Sequence, residues 1–99
     1  MLTYSLSCSM WEDGALLLKY IEEADSSPQT IYVREVAFDP ANAEALLSAF
    51  RGQRPGTEEE MAACIGGRFG ISLREPELFD FCDDHNIHYT WCEYNEGLV

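Results

Sequence analysis

The sequence predicts a single α+β domain, in which three or four helices pack on one face of a small, mainly antiparallel sheet of three or four strands. Three observations predict this class. Segments with strand composition occur near both ends of the 99-residue chain and in its first half. Helical segments with capping residues lie between them. The order of the segments differs from the regular alternation of strands and helices that a doubly wound parallel sheet requires.

The first segment is a strand. From Leu2 to Met10, apolar residues alternate strictly with serine and threonine. This period-2 pattern is typical of a strand with one buried face and one face in water. It is the most regular pattern in the chain, and it predicts that the sheet begins here.

Residues 14–25 carry two competing signals. Apolar residues recur at helical spacing from Leu17 to Ala24, and Asp13 is placed to cap a helix. Asp13-Gly14 is also a tight-turn dipeptide between two apolar runs, which would make residues 15–23 the second strand of a hairpin. Because Ala, Leu, Lys and Glu dominate the segment and β-branched residues are scarce, we expect the helix.

Residues 30–38 (TIYVREVAF) are rich in β-branched and aromatic side chains and predict a strand. Apolar residues on both of its faces indicate a central position in the sheet. A helix then begins in a characteristic way, with Asp39 at the N-cap and Pro40 at the first helical position. We expect this helix to run to Arg51 and to stop at Gly52.

A second helix is predicted by Thr57 and Glu60, which have the spacing of a capping box. We expect it to be short, to run to Ile65, and to end at Gly66-Gly67 because glycine is a poor helix former.

A third helix and a last strand complete the chain. Residues 72–75 repeat the capping pattern, although Pro76 is an equally good start for the helix, which is expected to run to about Asn86. Residues 87–94 (IHYTWCEY) have strand composition and alternate in character.

The composition limits the class of partner. Eighteen Asp and Glu against six Lys and Arg leave a net charge of −12, so binding to a phosphate backbone or an anionic membrane is opposed by repulsion. Hydrophobic residues make up 46% of the chain, which is enough for a core. No apolar run approaches the roughly 20 residues of a membrane span. The first ten residues do not resemble a signal peptide, and we expect a cytoplasmic protein.

The acids are concentrated towards the end of the sequence, where residues 75–99 contain seven acids and no base. In the third helix, Glu77, Asp80 and Asp84 recur at i, i+3 and i+7, with Asp83 beside them. Like charges at this spacing destabilise a helix, and acids near its C-terminus oppose the helix dipole. A solvated face that keeps the protein soluble is the plain explanation, but an uncompensated local cost favours a functional role.

The sequence contains little that indicates catalysis or metal binding. Cys82, His85, His88 and Cys92 have metal-ligand residue types, but a helix and a strand separate them, and we expect free thiols and no metal. The four cysteines lack paired C-x-x-C spacing, and no nucleotide-binding, metalloprotease or serine-hydrolase motif is present. We therefore expect neither an enzyme nor a cofactor.

These observations predict a small acidic binding protein that inhibits a larger, basic nucleic-acid-binding protein by mimicking nucleic acid, as phage anti-CRISPR and anti-restriction proteins do. An immunity protein or antitoxin that neutralises a basic toxin is one alternative, and a small Cys/His metal-binding protein is another. Aromatic residues beside the acids suit a protein interface. The predicted partner-binding residues are Glu77, Asp80, Asp83, Asp84, Tyr89, Trp91, Glu93, Tyr94 and Glu96.

Overall fold

The computed structural model describes residues 2–24, 30–48, 57–70 and 76–97, which form four strands and three helices. The strands form one antiparallel sheet in the order β1-β2-β3-β4. The predicted α+β class is therefore confirmed. None of the helices in these ranges is long and apolar enough to cross a membrane. The elements are β1 Leu2–Met10, β2 Leu16–Ala24, β3 Thr30–Phe38, α1 Pro40–Leu47, α2 Glu58–Phe69, α3 Pro76–Asp84 and β4 Thr90–Gly97.

The core lies on one face of the sheet, beneath the helices. Cys8, Leu18 and Val36 lie side by side across β1, β2 and β3 and are buried. All three helices contribute to the same cluster. Burying one such aliphatic side chain stabilises the fold by about 1.5–3 kcal/mol. The buried helical residues of the cluster are Ala43, Leu46, Leu47, Met61, Ile65, Phe69, Leu78 and Cys82.

The segment that follows β1 is a strand, so the expected helix over residues 14–25 is wrong and the hairpin is correct. Gly14 has a φ of 97°, a conformation that glycine adopts without strain. Asp13 accepts a hydrogen bond from the backbone N–H of Ala15 at 2.9 Å, which closes the turn. Leu16 and Leu18 are fully buried, and β2 pairs with a strand on each side. This burial and pairing outweigh the helical propensity of the segment.

The first helix begins as predicted and ends earlier. The Asp39 carboxylate accepts a hydrogen bond from the backbone N–H of Asn42 at 2.9 Å, as an N-cap should. The helix ends at Leu47, short of the expected Arg51. Residues 49–56, which include the expected stop at Gly52, lie outside the described residues.

The second helix has the predicted cap, because the Thr57 hydroxyl accepts a hydrogen bond from the N–H of Glu60 at 3.1 Å. It does not end at Gly66-Gly67 but continues to Phe69. Phe69 is buried in the core, and its burial offsets the roughly 1 kcal/mol that each glycine costs a helix. The helix ends at Gly70, whose φ is 95°.

The third helix begins at Pro76 and ends at Asp84, two residues before the expected end. Asn86 has a φ of 56° and turns the chain out of the helix. The last strand begins at Thr90 and not at residue 87. The capping pattern predicted at residues 72–75 lies outside the described residues.

Candidate interaction surface

The α3 acidic face consists of four exposed carboxylates, those of Glu77, Asp80, Asp83 and Asp84. The helix is strongly amphipathic, because Leu78 and Cys82 on its other side are completely buried. Residues four apart share one side of a helix, so this anchoring directs the carboxylates to solvent, as their spacing predicts. The helix contains no basic residue in its last turn.

An aromatic cluster fixes the orientation of α3 on the sheet. The ring of Phe79 lies 4.9 Å from the ring of Tyr89 and 6.1 Å from that of Trp91. Tyr89 also contacts Phe38 at the end of β3, with ring centres 6.3 Å apart. Such aromatic pairs contribute about 0.5–1.5 kcal/mol each beyond the area that they bury. The carboxylates therefore stand on a helix that is held in one position against β4.

Tyr89 contacts one carboxylate of the α3 acidic face. Its hydroxyl donates a hydrogen bond to Asp83 at 3.4 Å. Burial, together with the negative charge of Asp83, raises the pKa of Tyr89 above its ordinary value. Tyr89 is half-buried, so it contributes to positioning as well as to any contact with a partner.

A cation lies next to this surface. The guanidinium of Arg68, on α2, is 5.4 Å from the ring centres of both Phe69 and Phe81. It shares a shallow depression of about 370 Å³ with three carboxylates of the α3 acidic face. Among the described residues, no ion pair joins Arg68 to these carboxylates. Within the described part of the chain, the four carboxylates of the α3 acidic face therefore outnumber the neighbouring cation Arg68.

Trp91 stands beside α3 with half of its surface exposed (51%). The Arg34 guanidinium lies 5.5 Å from its ring centre and donates a hydrogen bond to Glu93 at 2.9 Å. The Tyr32 hydroxyl donates to the same carboxylate. Burial lowers the pKa of Arg34, but the bonds to Glu93 and Tyr32 outweigh it, and the pKa lies above its ordinary value. The Glu93 carboxylate is thus engaged within the protein.

Of the other two predicted residues of β4, Tyr94 does not join this surface. Tyr94 points to the opposite face of the sheet, where its hydroxyl donates a hydrogen bond to Glu35 at 2.9 Å. Glu96 pairs with Ile31 in the sheet, and its side chain lies outside the described residues. The structure therefore brings together the α3 acidic face, Tyr89, Trp91 and Glu93, and it separates Tyr94 from them.

Trp11 is an exposed aromatic that the sequence analysis did not single out. It follows β1 and is 56% exposed. A depression of about 420 Å³ lies between Trp11, Tyr89 and the carboxyl-bearing residues Asp13 and Asp39. The signal in the sequence that could have indicated its exposure is its position beside the Asp13-Gly14 turn, where a side chain is easily left in solvent.

The cysteines and histidines considered as metal ligands are dispersed. Cys82 is buried, which raises the pKa of its thiol to about 11. The ring of His85 stacks on that of Phe81 at 4.2 Å, and the backbone N–H of His88 donates to Asn42 at 2.8 Å. Cys92 lies on the other face of the sheet, as the register requires. In the part of the chain that the structure describes, no three or more His, Cys, Asp or Glu residues could hold a metal ion.

Comparison of the chain with protein-family models, curated proteins and solved structures found no match. The geometry of the interaction surface therefore carries the functional argument by itself.

Proposed function

We propose that this chain is a cytoplasmic binding protein that inhibits a basic nucleic-acid-binding protein, and that it acts through the α3 acidic face without catalysing a reaction. The observation that carries the proposal is the exposure of four carboxylates on one short, firmly anchored helix. Nothing in the core requires acids there, since the buried side of the helix is apolar.

The spacing of these charges suits a site that accepts phosphates. At 1.5 Å of rise per residue, Glu77, Asp80 and Asp84 are separated by about 4.5 and 6 Å along the helix axis. One strand of B-form DNA carries a charge about every 3.4 Å of its axis. The row is thus a short linear array of charges with a spacing of the same order, which a groove lined by Lys and Arg would attract.

Trp91 supplies the apolar part of the contact. Exposed tryptophan next to charged groups is typical of residues that dominate the affinity of protein interfaces. Arg34 behind the ring holds it in place, so little conformational freedom is lost on binding. Charge then governs the rate of association, and Trp91 governs the lifetime of the complex.

The proposal is tested with a charge-reversal pair. Wild type, Asp80→Lys/Asp84→Lys and the control Glu12→Lys/Glu23→Lys, which reverses two exposed acids away from α3, are used to capture partners from nuclease-treated host lysate. The purified partner is then titrated with each protein and with its own nucleic acid. We expect the α3 variant alone to associate at least about tenfold more slowly and nucleic acid to compete with the wild type. Equal association of both variants, or the absence of competition, would refute the proposal.

An immunity protein or antitoxin would use the same electrostatics against a toxin. The experiment separates the two functions by the identity and activity of the captured partner. If the captured partner is a toxin whose activity the wild type abolishes, the chain has the immunity function and not that of an inhibitor of a nucleic-acid-binding protein.

A further inference from the structure

The groove between β1 and α2 is a second candidate surface, and its lining contains no residue of the α3 acidic face. Among the described strands, β1 lies at the edge of the sheet and β2 is its one neighbour. The groove has a volume of about 730 Å³, within the range of ligand-binding clefts. On one side it is lined by residues 6–9 of β1, and on the other by six residues of α2, namely Glu58, Glu59, Ala62, Ala63, Gly66 and Gly67.

The β1 backbone offers hydrogen-bonding groups to this groove. In an antiparallel pair, alternate residues direct their N–H and C=O groups towards the partner strand and away from it. The N–H of Trp11 donates to the C=O of Ala15 across the hairpin at 2.9 Å, which sets the odd-numbered residues towards β2. The N–H and C=O groups of Leu6 and Cys8 therefore point outward along the sheet edge.

One contact shows that an acceptor can approach from this side. The outward N–H of Met10 donates a hydrogen bond to the Glu58 carboxylate at 2.8 Å. This carboxylate oxygen occupies the position that a carbonyl of an added strand would take at Met10. The next two outward positions, at Cys8 and Leu6, continue the same edge with the same geometry.

The wall formed by α2 leaves room for another backbone. Four of the six α2 residues that line the groove are alanine or glycine, namely Ala62, Ala63, Gly66 and Gly67. A Cβ atom built on Gly67 would meet nothing within 4 Å. An extended peptide can add to an exposed strand edge through main-chain hydrogen bonds, and the small residues of α2 leave space for it beside β1.

The charges of the groove select among occupants. Glu58 and Glu59 lie at the Met10 end, so a ligand with a basic residue at that end is favoured. A second copy of the chain is a poor occupant, because its own β1 contains no Lys or Arg and each copy has a net charge of −12. An antiparallel added strand runs from the Met10 end towards the Leu6 end, which places its basic residue at its N-terminal side.

We propose that the groove between β1 and α2 binds an extended segment of a partner protein by antiparallel strand addition to β1, with a Lys or Arg at the N-terminal end of that segment beside Glu58 and Glu59. The proposal is independent of the function assigned to α3. The peptide is bound mainly through its backbone, and the small side chains of α2 leave space for the side chains that face them.

The probe is a capped synthetic peptide of two lysines followed by alternating valine and threonine, titrated at an ionic strength of about 0.15 M into protein labelled for NMR. We expect saturable binding with the largest amide shifts at Leu6 and Cys8. Asp80→Lys/Asp84→Lys should bind the peptide as the wild type does, which separates this site from α3. The peptide with its lysines moved to the C-terminal end should bind at least about tenfold more weakly.

A blocking variant and a modified peptide complete the test. Gly67→Leu, which fills the groove from a position open to solvent, should weaken binding at least about tenfold, whereas Ala45→Leu on the exposed side of α1 should not. A peptide N-methylated at the valines and one methylated at the threonines should differ strongly, because one set of N–H groups faces β1. No saturable binding, equal affinity of Gly67→Leu and wild type, or equal affinity of the methylated peptides would overturn the proposal. So would a concentration-dependent dimer that protects the Leu6 and Cys8 amides without peptide.

Discussion

Asp84→Asn is expected to stabilise the folded protein. Asp84 is the last residue of α3, where the helix dipole prefers cations, and no basic residue lies in the last turn. Removing an acid there relieves about 0.3–1 kcal/mol. Removing its repulsion with Asp80, four residues earlier, relieves about 0.2–0.5 kcal/mol more. Arg68 shares a depression with both acids and attracts them weakly, which offsets part of the gain. The net increase in the free energy of unfolding is therefore about 0.3–1 kcal/mol.

The measurement is thermal unfolding followed by circular dichroism. For a domain of this size, the gain corresponds to an increase in Tm of about 1–8 °C. Glu23→Gln removes the same charge from an exposed position on β2 and reports the general effect of lowering the net charge. The difference between the two variants should shrink in about 1 M salt, where the screening length falls to about 3 Å. A Tm of Asp84→Asn at or below that of the control would refute the reasoning and assign the carboxylate a stabilising contact in the fold.

Three further outcomes are expected. Burial raises the pKa of Cys8 and of Cys82 to about 11, so both thiols should react with iodoacetamide at neutral pH more slowly than the exposed Cys92. Mass spectrometry of the labelled peptides measures the rates, and equal rates would contradict the assigned burial. Hydrogen bonds from Asn42 hold the pKa of Asp39 below its ordinary value, so its contribution to stability is present above about pH 4 and is lost as the pH falls through the lowered pKa. Asp39→Ala should therefore lower the Tm more at pH 7 than at pH 2, whereas Asp39→Asn, which retains a cap, should change it less. Leu18→Ala, at a fully buried position of a central strand, should cost about 2–5 kcal/mol in urea unfolding, and a loss below about 1 kcal/mol would contradict the packing of this face.

The strands with regular or β-branched patterns could be predicted from the sequence, and the segment with mixed signals could not. β1 and β3 have the predicted bounds. β2 was expected to be helical, because residues 16–24 (LLLKYIEEA) are composed of good helix formers. Their structure is decided by partners elsewhere in the chain, since Leu16, Leu18 and Tyr20 become buried when β1 and β3 are in place. Tertiary burial of this kind is not contained in local propensity.

The candidate surface could be predicted only in part, because some of its features depend on how distant segments pack together. The exposed acids of α3 follow from helical spacing alone. The position of Arg68 next to them depends on how α2 and α3 pack. The separation of Tyr94 from Trp91, in contrast, follows from strand alternation alone, because the two residues are three positions apart in one strand. The groove beside β1 depends on which strand lies at the sheet edge, a property of the topology and not of any one segment.

The meander order of the sheet also has a consequence for the sequence of events during folding. β1, β2 and β3 are neighbours both in the chain and in space, so they can pair through short loops as soon as the first part of the chain is synthesised. β4 must wait for all three helices, because they precede it in the chain. Pulse-labelling hydrogen exchange should show its amides protected last. The array of charges on α3 thus acquires its final orientation only after β4 has been synthesised, and shorter nascent chains do not yet display it.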